Sequence, residues 1–256
     1  AKAKHQAFAD PDSDFGTYSN VWESYEEALT KGSSSGRKFC QSNYLSIQAM
    51  REIGDARQQF FDLLCGIGFV DRTSVGEAND DRRKALRNLR KSLYNENGNN
   101  SNLLNAVICA GIYPNVAHLK PGTSYGDYTM YHKRNERLYF HNSSVNAKRK
   151  VYSEGYICFY EKFGTPNRVS VAATCFVHPY SLLLFGGIAK VKHTERLVIV
   201  DGWLEINMAA QTGVIMKELR HQVDALLTKM IEKADPREMQ TMSSNMVNGI
   251  VSLLPA

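Results

Sequence analysis

The 256-residue sequence has no Gly-x-x-x-x-Gly-Lys-Ser/Thr loop, no Gly-x-Ser-x-Gly elbow and no His-Glu-x-x-His run. Those absences exclude a P-loop cradle for a nucleoside triphosphate, the nucleophile elbow of an α/β-hydrolase and the paired-histidine zinc helix. The nearest approaches fail on inspection. Gly66-Ile67-Gly68 lacks the lysine, and Gly186-Gly187-Ile188-Ala189-Lys190 lacks both the spacing and the hydroxyl. Cysteine is scarce and scattered: Cys40, Cys65, Cys109, Cys158 and Cys175 are odd in number, contain no Cys-x-x-Cys pair and have no histidine at a ligand spacing. A disulfide framework and a zinc knuckle are thereby excluded, and the thiols are expected to be reduced and buried in an intracellular protein. No apolar run reaches the roughly 18 residues that a membrane-spanning helix needs.

What the sequence does hold is a 43% hydrophobic content, ample for a core, and a formal charge of +5 with a pI near 8.9. Such a charge favours a polyanionic partner without specifying one. The opening stretch AKAKHQAFADPDSDFG has neither an initiator Met nor a first core element, so the chain is expected to begin inside a longer protein. Up to Ser101 the apolar residues recur with helical spacing. Tyr18, Val21, Trp22, Tyr25 and Leu29 share one helix face, and a loop is expected at Gly32 to Gly36. A long helix is then expected to reach Gly66 or Gly68, with Ile47, Met50, Ile53, Phe60, Phe61 and Leu64 as its apolar arc. At 100° per residue Arg57 falls in the middle of that arc, where it needs an ion-pair partner or a path to solvent, or else lines a nucleic-acid path. The segment from Asp71 to Asn102 is polar and carries the basic block Arg82, Arg83, Lys84, Arg87, Arg90 and Lys91, either a solvated face or a phosphate contact.

From Asn102 to Leu119 the chain changes character. Leu103, Leu104, Val107 and Ile108 repeat as a helix that Gly111 and Pro114 end, and β-rich runs follow. Strands are expected at Val116 to Lys120, Asp127 to Lys133, Arg137 to His141, Val151 to Lys162, Arg168 to Val177 and Leu197 to Asn207, the last broken at Asp201-Gly202. Five or six short strands after a helix suit a small OB-type barrel or a compact sandwich. Tyr125, Tyr128, Tyr131, Tyr139, Tyr152, Tyr156 and Tyr160, interleaved with Lys133, Arg134, Arg137, Lys148, Arg149 and Lys150, supply ring faces for bases and cations for phosphates. Val214, Leu219, Val223, Leu226, Leu227, Met230 and Ile231 mark a closing helix stopped at Pro236, with a second helix over Pro236 to Leu254.

Several segments, FADPDSD (8–14), NYLS (43–46), DARQQF (55–60), LLNAVICAGIYPNVA (103–117), FHNSSVN (140–146), FYEKFGT (159–165), PYSLLLFGG (179–187) and ERLVIVDGW (195–203) with KELRHQVDALL (217–227), lie in the order found in a known family. The chain resembles the C-terminal accessory region of DEAH/RHA-type ATP-dependent RNA helicases, and within them the RNA helicase A-like branch. The resemblance implies an α+β fold: a helical, ratchet-like helicase-associated domain over 1–101 with a polar insert near 71–101, a five-to-six-stranded OB-fold domain over 102–208, and a C-terminal helical extension over 209–256 packing on the barrel. It implies an accessory module that forms part of the single-stranded RNA channel of a 3′–5′ helicase and regulates its motor, or alternatively docks a ribosomal or adaptor partner. ATP and Mg belong to the RecA-like domains of the parent, so this chain should be inactive alone and hold no cofactor. The expected partners are single-stranded RNA and the RecA-like and winged-helix domains of the same parent, with no membrane, and the expected compartment is the cytoplasm ahead of the nucleus. Carried over position by position, the implied RNA contacts are Arg51 and Arg57 on the ratchet helix and Ser143, Ser144, Lys162, Thr165, Arg168 and Thr174 on the barrel. No catalytic or metal-binding residue is implied.

Overall fold

The computed structural model describes residues 2–76, 82–165, 168–232 and 248–254. The chain divides into two compact units, one of Ala1–Ala7, Val21–Asn100 and Asp224–Ser252, the other of Phe8–Asn20, Ser101–Val223 and Leu253–Ala256.

The first unit is helical. After α1 (Lys2–Gln6) it takes the later turns of α2 (Asp14–Thr30), then α3 (Ser33–Asn43), α4 (Ile47–Gly66), α5 (Arg72–Val75) and α6 (Arg82–Leu89). The expected Gly32 to Gly36 loop is reduced to Gly32, whose φ of +114° only glycine adopts freely, and Ser33 already starts α3. Gly36 then serves packing, because a Cβ there would stand 2.5 Å from Leu29 Cδ2. The long helix ending at Gly66 begins only at Ile47, and α3 is a separate helix ahead of it. Tyr44 turns left-handed at φ 56°, and the Ser46 side chain caps α4 by accepting from Ala49 N at 3.2 Å, two local features that a periodicity count does not register. Tyr25, Cys40 and Met50 form one core with Val21, Trp22 and Leu29 against it, and Phe61, Val70 and Val75 form a second. Ile53, Phe60 and Leu64 of the predicted arc are exposed instead.

The second unit holds the sheets. Helix α7 (Ser101–Ile112) buries its small side, Asn105, Ala106 and Cys109, and leaves Leu104 and Val107 exposed. Small side chains let it lie close on the barrel, where the Cys109 thiol meets Cys158, itself paired across strands with Cys175. Hydrogen bonding of the Cys158 thiol with Cys109 and Cys175, with burial behind it, raises it well above its ordinary value. All five cysteines are free.

Strands β1 (Val116–Pro121), β2 (Tyr128–His132), β3 (Glu136–Phe140), β4 (Gly155–Thr165) and β5 (Arg168–Val177) close into a barrel of order β1-β2-β3-β5-β4, with β4 returning to β1. Every pairing is antiparallel except β3 with β5. Leu119, Met130, Leu138, Phe140, Ile157, Phe159 and Val171 fill the interior. Residues 151–154, expected as strand, are irregular, while Tyr152 just ahead of β4 plugs the core and donates its hydroxyl to the Asn146 carbonyl at 2.8 Å.

Beyond the barrel, α8 (Pro179–Phe185) buries Ser181, Leu182, Leu183 and Leu184 together, and a helix apolar on every side shows no period to read. A separate sheet follows, β6 (Ala189–Lys192), β7 (Leu197–Val200) and β8 (Leu204–Asn207). Strand β6 was not predicted: its Ala-Lys-Val-Lys alternation runs for only four residues. Helix α9 (Ala210–Glu232) begins on this sheet, with Gly213 so close that a Cβ would meet Val198 Cγ2 at 2.7 Å. Its buried positions include Gly213, Met216 and Val223, whereas Val214, Leu227 and Ile231 of the predicted stripe are exposed. Residues 248–253 are helical, and Pro236, expected to stop α9, lies outside the described residues.

Candidate nucleic-acid interface

Strand alternation sends Leu138 and Phe140 of β3 into the barrel and Arg137 and Tyr139 outward. Register carries this across the sheet: Tyr139 lies beside Ser170, and Ser170 beside Phe163. On that outer face the guanidinium carbons of Arg137 and Arg168 stand 5.2 and 4.8 Å from the Tyr139 ring centroid. Cation–π attraction holds both arginines near the ring while their donors stay in solvent. Phe163, 41% exposed, extends the patch and meets the His141 ring edge to face at 4.9 Å. The exposed Ser143 hydroxyl lies 2.8 Å from His141 Nδ1, which also accepts the Ser143 N–H. Beneath the patch, burial raises the Tyr128 phenol above its ordinary value, opposed by its bond from Phe140 N and by the charges of Arg168 and Arg137.

The hairpin between β4 and β5 positions the cations. Gly164 has φ +143°, and a Cβ there would stand 2.2 Å from the Arg168 carbonyl oxygen, so this site requires glycine. Thr165 pairs directly with Arg168 and is exposed, while Pro166 and Asn167 of the expected turn lie outside the described residues. Lys162 falls on the opposite side from Phe163 and binds Glu136 Oε2 at 2.5 Å.

Ser144 and Thr174 are placed differently. They are 2% and 0% exposed, their hydroxyls lie 2.8 Å apart, and they belong to a buried polar network. Asp14, 3% exposed, accepts from Val145 N at 2.8 Å, Thr174 N at 2.7 Å and Thr174 Oγ1 at 3.2 Å. Asn146 donates to Thr174 Oγ1 at 2.9 Å, and Arg149 joins Asn146 to the Pro11 carbonyl and the Asp12 carboxylate. Phe176 N completes the seam by donating to the Asp12 carbonyl. The segment DPDSD is therefore a strap laid along β5. The two hydroxyls hold that strap and the 144–149 turn, and offer no surface to a ligand.

In the helical unit the Arg57 guanidinium lies over the Trp22 ring at 4.8 Å and donates to Glu26 Oε1 at 3.1 Å. The partner that its position demanded is thus supplied by α2. Arg90 of the basic block binds the same Glu26 at 2.9 Å and Glu23 at 2.6 Å, while the side chains of Arg82 and Arg83 lie outside the described set. Arg51 is exposed and has no ion-pair partner among the described residues. Arg51 and Arg57 line one cavity of about 770 Å³.

Arg137, Tyr139, His141 and Phe163 were not singled out as contacts from sequence, although Tyr139 and Arg137 stood in the interleaved aromatic and basic set. Arg137 alternating with Tyr139 on one strand face was the available signal, whereas Arg168 reaches that ring only through the β3–β5 pairing.

Residues 104–188 match the model of the oligonucleotide/oligosaccharide-binding (OB) fold, and residues 196–255 match the C-terminal domain in RNA helicases. Among similar proteins, DExH-box ATP-dependent RNA helicase DExH1 of Arabidopsis thaliana is 31% identical over 256 residues, covering 99% of this chain and 23% of that protein. Human ATP-dependent DNA/RNA helicase DHX36 is 28% identical over 262 residues (99% of this chain, 24% of that protein). Human ATP-dependent RNA helicase DHX29 is 29% identical over 232 residues (88% and 16%). The chain spans about a quarter or less of the length of these relatives. A closed five-stranded barrel of OB order, followed by the helicase C-terminal domain and aligned nearly end to end with such relatives, places this chain in the DEAH/RHA-type RNA helicase family, as the accessory region that carries the OB fold.

Proposed function

We propose that the chain is an RNA-binding accessory module of an ATP-dependent 3′–5′ RNA helicase, forming part of the single-stranded RNA channel and regulating the motor. The observation that carries this is the Tyr139 ring flanked by Arg137 and Arg168 on the outer face of the barrel, with Phe163 beside it. Stacking surface and phosphate-binding charge in one patch is the combination that single strands require. Arg168, Arg137, Thr165 and Ser143 contact the strand directly, Lys162 contacts it by releasing Glu136, and Arg51 and Arg57 contact it from the helical unit. ATP and Mg are assigned to the RecA-like domains of the parent. This chain has no phosphate loop, and its described residues hold no group of three His, Cys, Asp or Glu able to bind a metal. Its own residues fit a strand rather than a nucleotide–metal complex. The working compartment is the cytoplasm.

A module that makes about three phosphate contacts should bind single-stranded RNA with log K falling against log salt at a slope near −2, at about 0.7 per contact. Arg168→Glu should flatten that slope by about one contact and weaken binding equally across RNA sequences, since phosphate carries no base information. An unchanged affinity and slope would remove the barrel face from the interface. The docking alternative draws on the exposed Ile53, Phe60 and Leu63 of α4 with Ile67 just beyond its end, an apolar row suited to a ribosomal or adaptor protein. Binding through that row would be nearly insensitive to salt.

A further inference from the structure

The cavity of the helical unit combines features that a plain phosphate-binding surface does not need. It is a cleft open to solvent among α2, α3, α4 and α6, holds about 770 Å³, and is lined by apolar side chains together with four arginines, Arg37, Arg51, Arg57 and Arg87. That volume is of the size that small organic ligands occupy. Arg57 is already fixed, one side lying on Trp22 and its Nη1 bound to Glu26. Its guanidinium is therefore a preorganised plane on which an aromatic ring can stack.

Arg37, Arg51 and Arg87 come from three different helices, are exposed, and have no ion-pair partner among the described residues. Two carboxylates, Glu26 and Asp55, also line the cavity, and Glu26 is shared between Arg57 and Arg90. The rim thus keeps an excess of positive charge. A separate observation points the same way. Trp22 Nε1 and Gln58 Oε1, one donor and one acceptor, are buried at this cavity without a hydrogen-bond partner. Native structures leave few such groups unsatisfied.

We infer that this cavity takes a single nucleotide, with the base stacked on the Arg57 guanidinium and the 5′-phosphate held by Arg51 and Arg87. The Trp22 N–H and the Gln58 carbonyl turn inward to bond the base edge. An acidic peptide would satisfy the arginines but would leave the stacking plane and the orphaned pair unused. The nucleotide is either a free nucleoside monophosphate or one residue splayed out of an RNA strand. The inference rests on the RNA reading for its choice of ligand, but not on the barrel face.

The test uses the whole 256-residue chain carrying Trp203→Phe, which leaves Trp22 as the one tryptophan. Its fluorescence is followed during titration with AMP, UMP, a single-stranded oligoribonucleotide, an abasic ribose-phosphate oligomer of equal length, and a poly-glutamate peptide. The expected result is a saturable change at Trp22 with the monophosphates or with intact RNA. Binding should be weakened about tenfold or more by Arg51→Glu or Arg87→Glu and partly restored by Arg51→Lys. A response to monophosphates assigns a free-nucleotide site, and a response to intact RNA alone assigns a splayed residue of the strand. Equal responses to intact and abasic oligomers, a response to poly-glutamate alone, or none at all would overturn the inference. Thermal melts establish that each variant is folded. RNA affinity in Arg168→Glu is read separately, so the barrel reading and the cavity reading fail independently.

Discussion

Asp14 accepts three hydrogen bonds on two buried oxygens, and two of the donors are backbone N–H groups of Val145 and Thr174. Asp14→Ala would leave the buried Thr174 N–H and the half-buried Val145 N–H unpaired, and each such group costs about 1–3 kcal/mol. A loss of about 3 kcal/mol in urea denaturation is expected. Thr174→Val should act in the same direction by about 1–2 kcal/mol, since Ser144 and Asn146 lose a partner. RNA affinity of the folded Thr174→Val protein should match the wild type, and a drop in affinity with stability unchanged would return Thr174 to the interface. At this scale the legible part of the site was chemical type. An ion-pair partner was one of the readings open for Arg57, and Glu26 supplies it. The burial of Ser144 and Thr174 was not legible, because what covers them is a strap 160 residues from Thr174 in sequence.

Among the elements, α8 has an acceptor at its start that depends on protonation. The His178 side chain caps it by accepting from Tyr180 N through Nδ1 at 3.3 Å, and burial lowers the imidazole pKa below its ordinary value. The unfolded chain therefore binds a proton more readily than the folded one. Stability from this cap is fully present above about pH 6.5 and is lost as pH falls through the lowered value. His178→Asn keeps a capping oxygen and removes the titration. Its melting temperature should equal the wild type at pH 7.5 and exceed it at pH 5, by about 2–4 °C if the cap is worth about 1 kcal/mol. Parallel pH dependence in both proteins would show that the imidazole does not contribute. The strands of the barrel were legible because each alternates between a buried and a wet face. The α3–α4 break and α8 were hidden for opposite reasons. One depends on the backbone at Tyr44 and a serine cap, the other on burial from all sides.

For the whole molecule, the expected biochemical phenotype is binding without turnover. Phosphate release from ATP should stay at background with or without RNA, because the sequence carries no phosphate loop. RNA-stimulated hydrolysis by the pure chain would contradict the accessory assignment. The helix-then-barrel order was legible from the change of period near Asn102. The membership of Phe8–Asn20 in the barrel unit was not, since composition along a chain carries no sign of long-range pairing.

That membership has a consequence for how the protein is made. A ribosome delivers Asp14 early and Thr174 160 residues later, which at about 5–20 residues per second is a delay of roughly ten to thirty seconds. Throughout that interval the carboxylate remains in water while Val21–Asn100 emerges, so the main segment of the helical unit is made before any strand of the barrel. The barrel unit is a closure that joins the oldest part of the nascent chain to one of the newest. A gene fragment cut at residue 101 would encode all five strands of the barrel and omit the strap laid along β5.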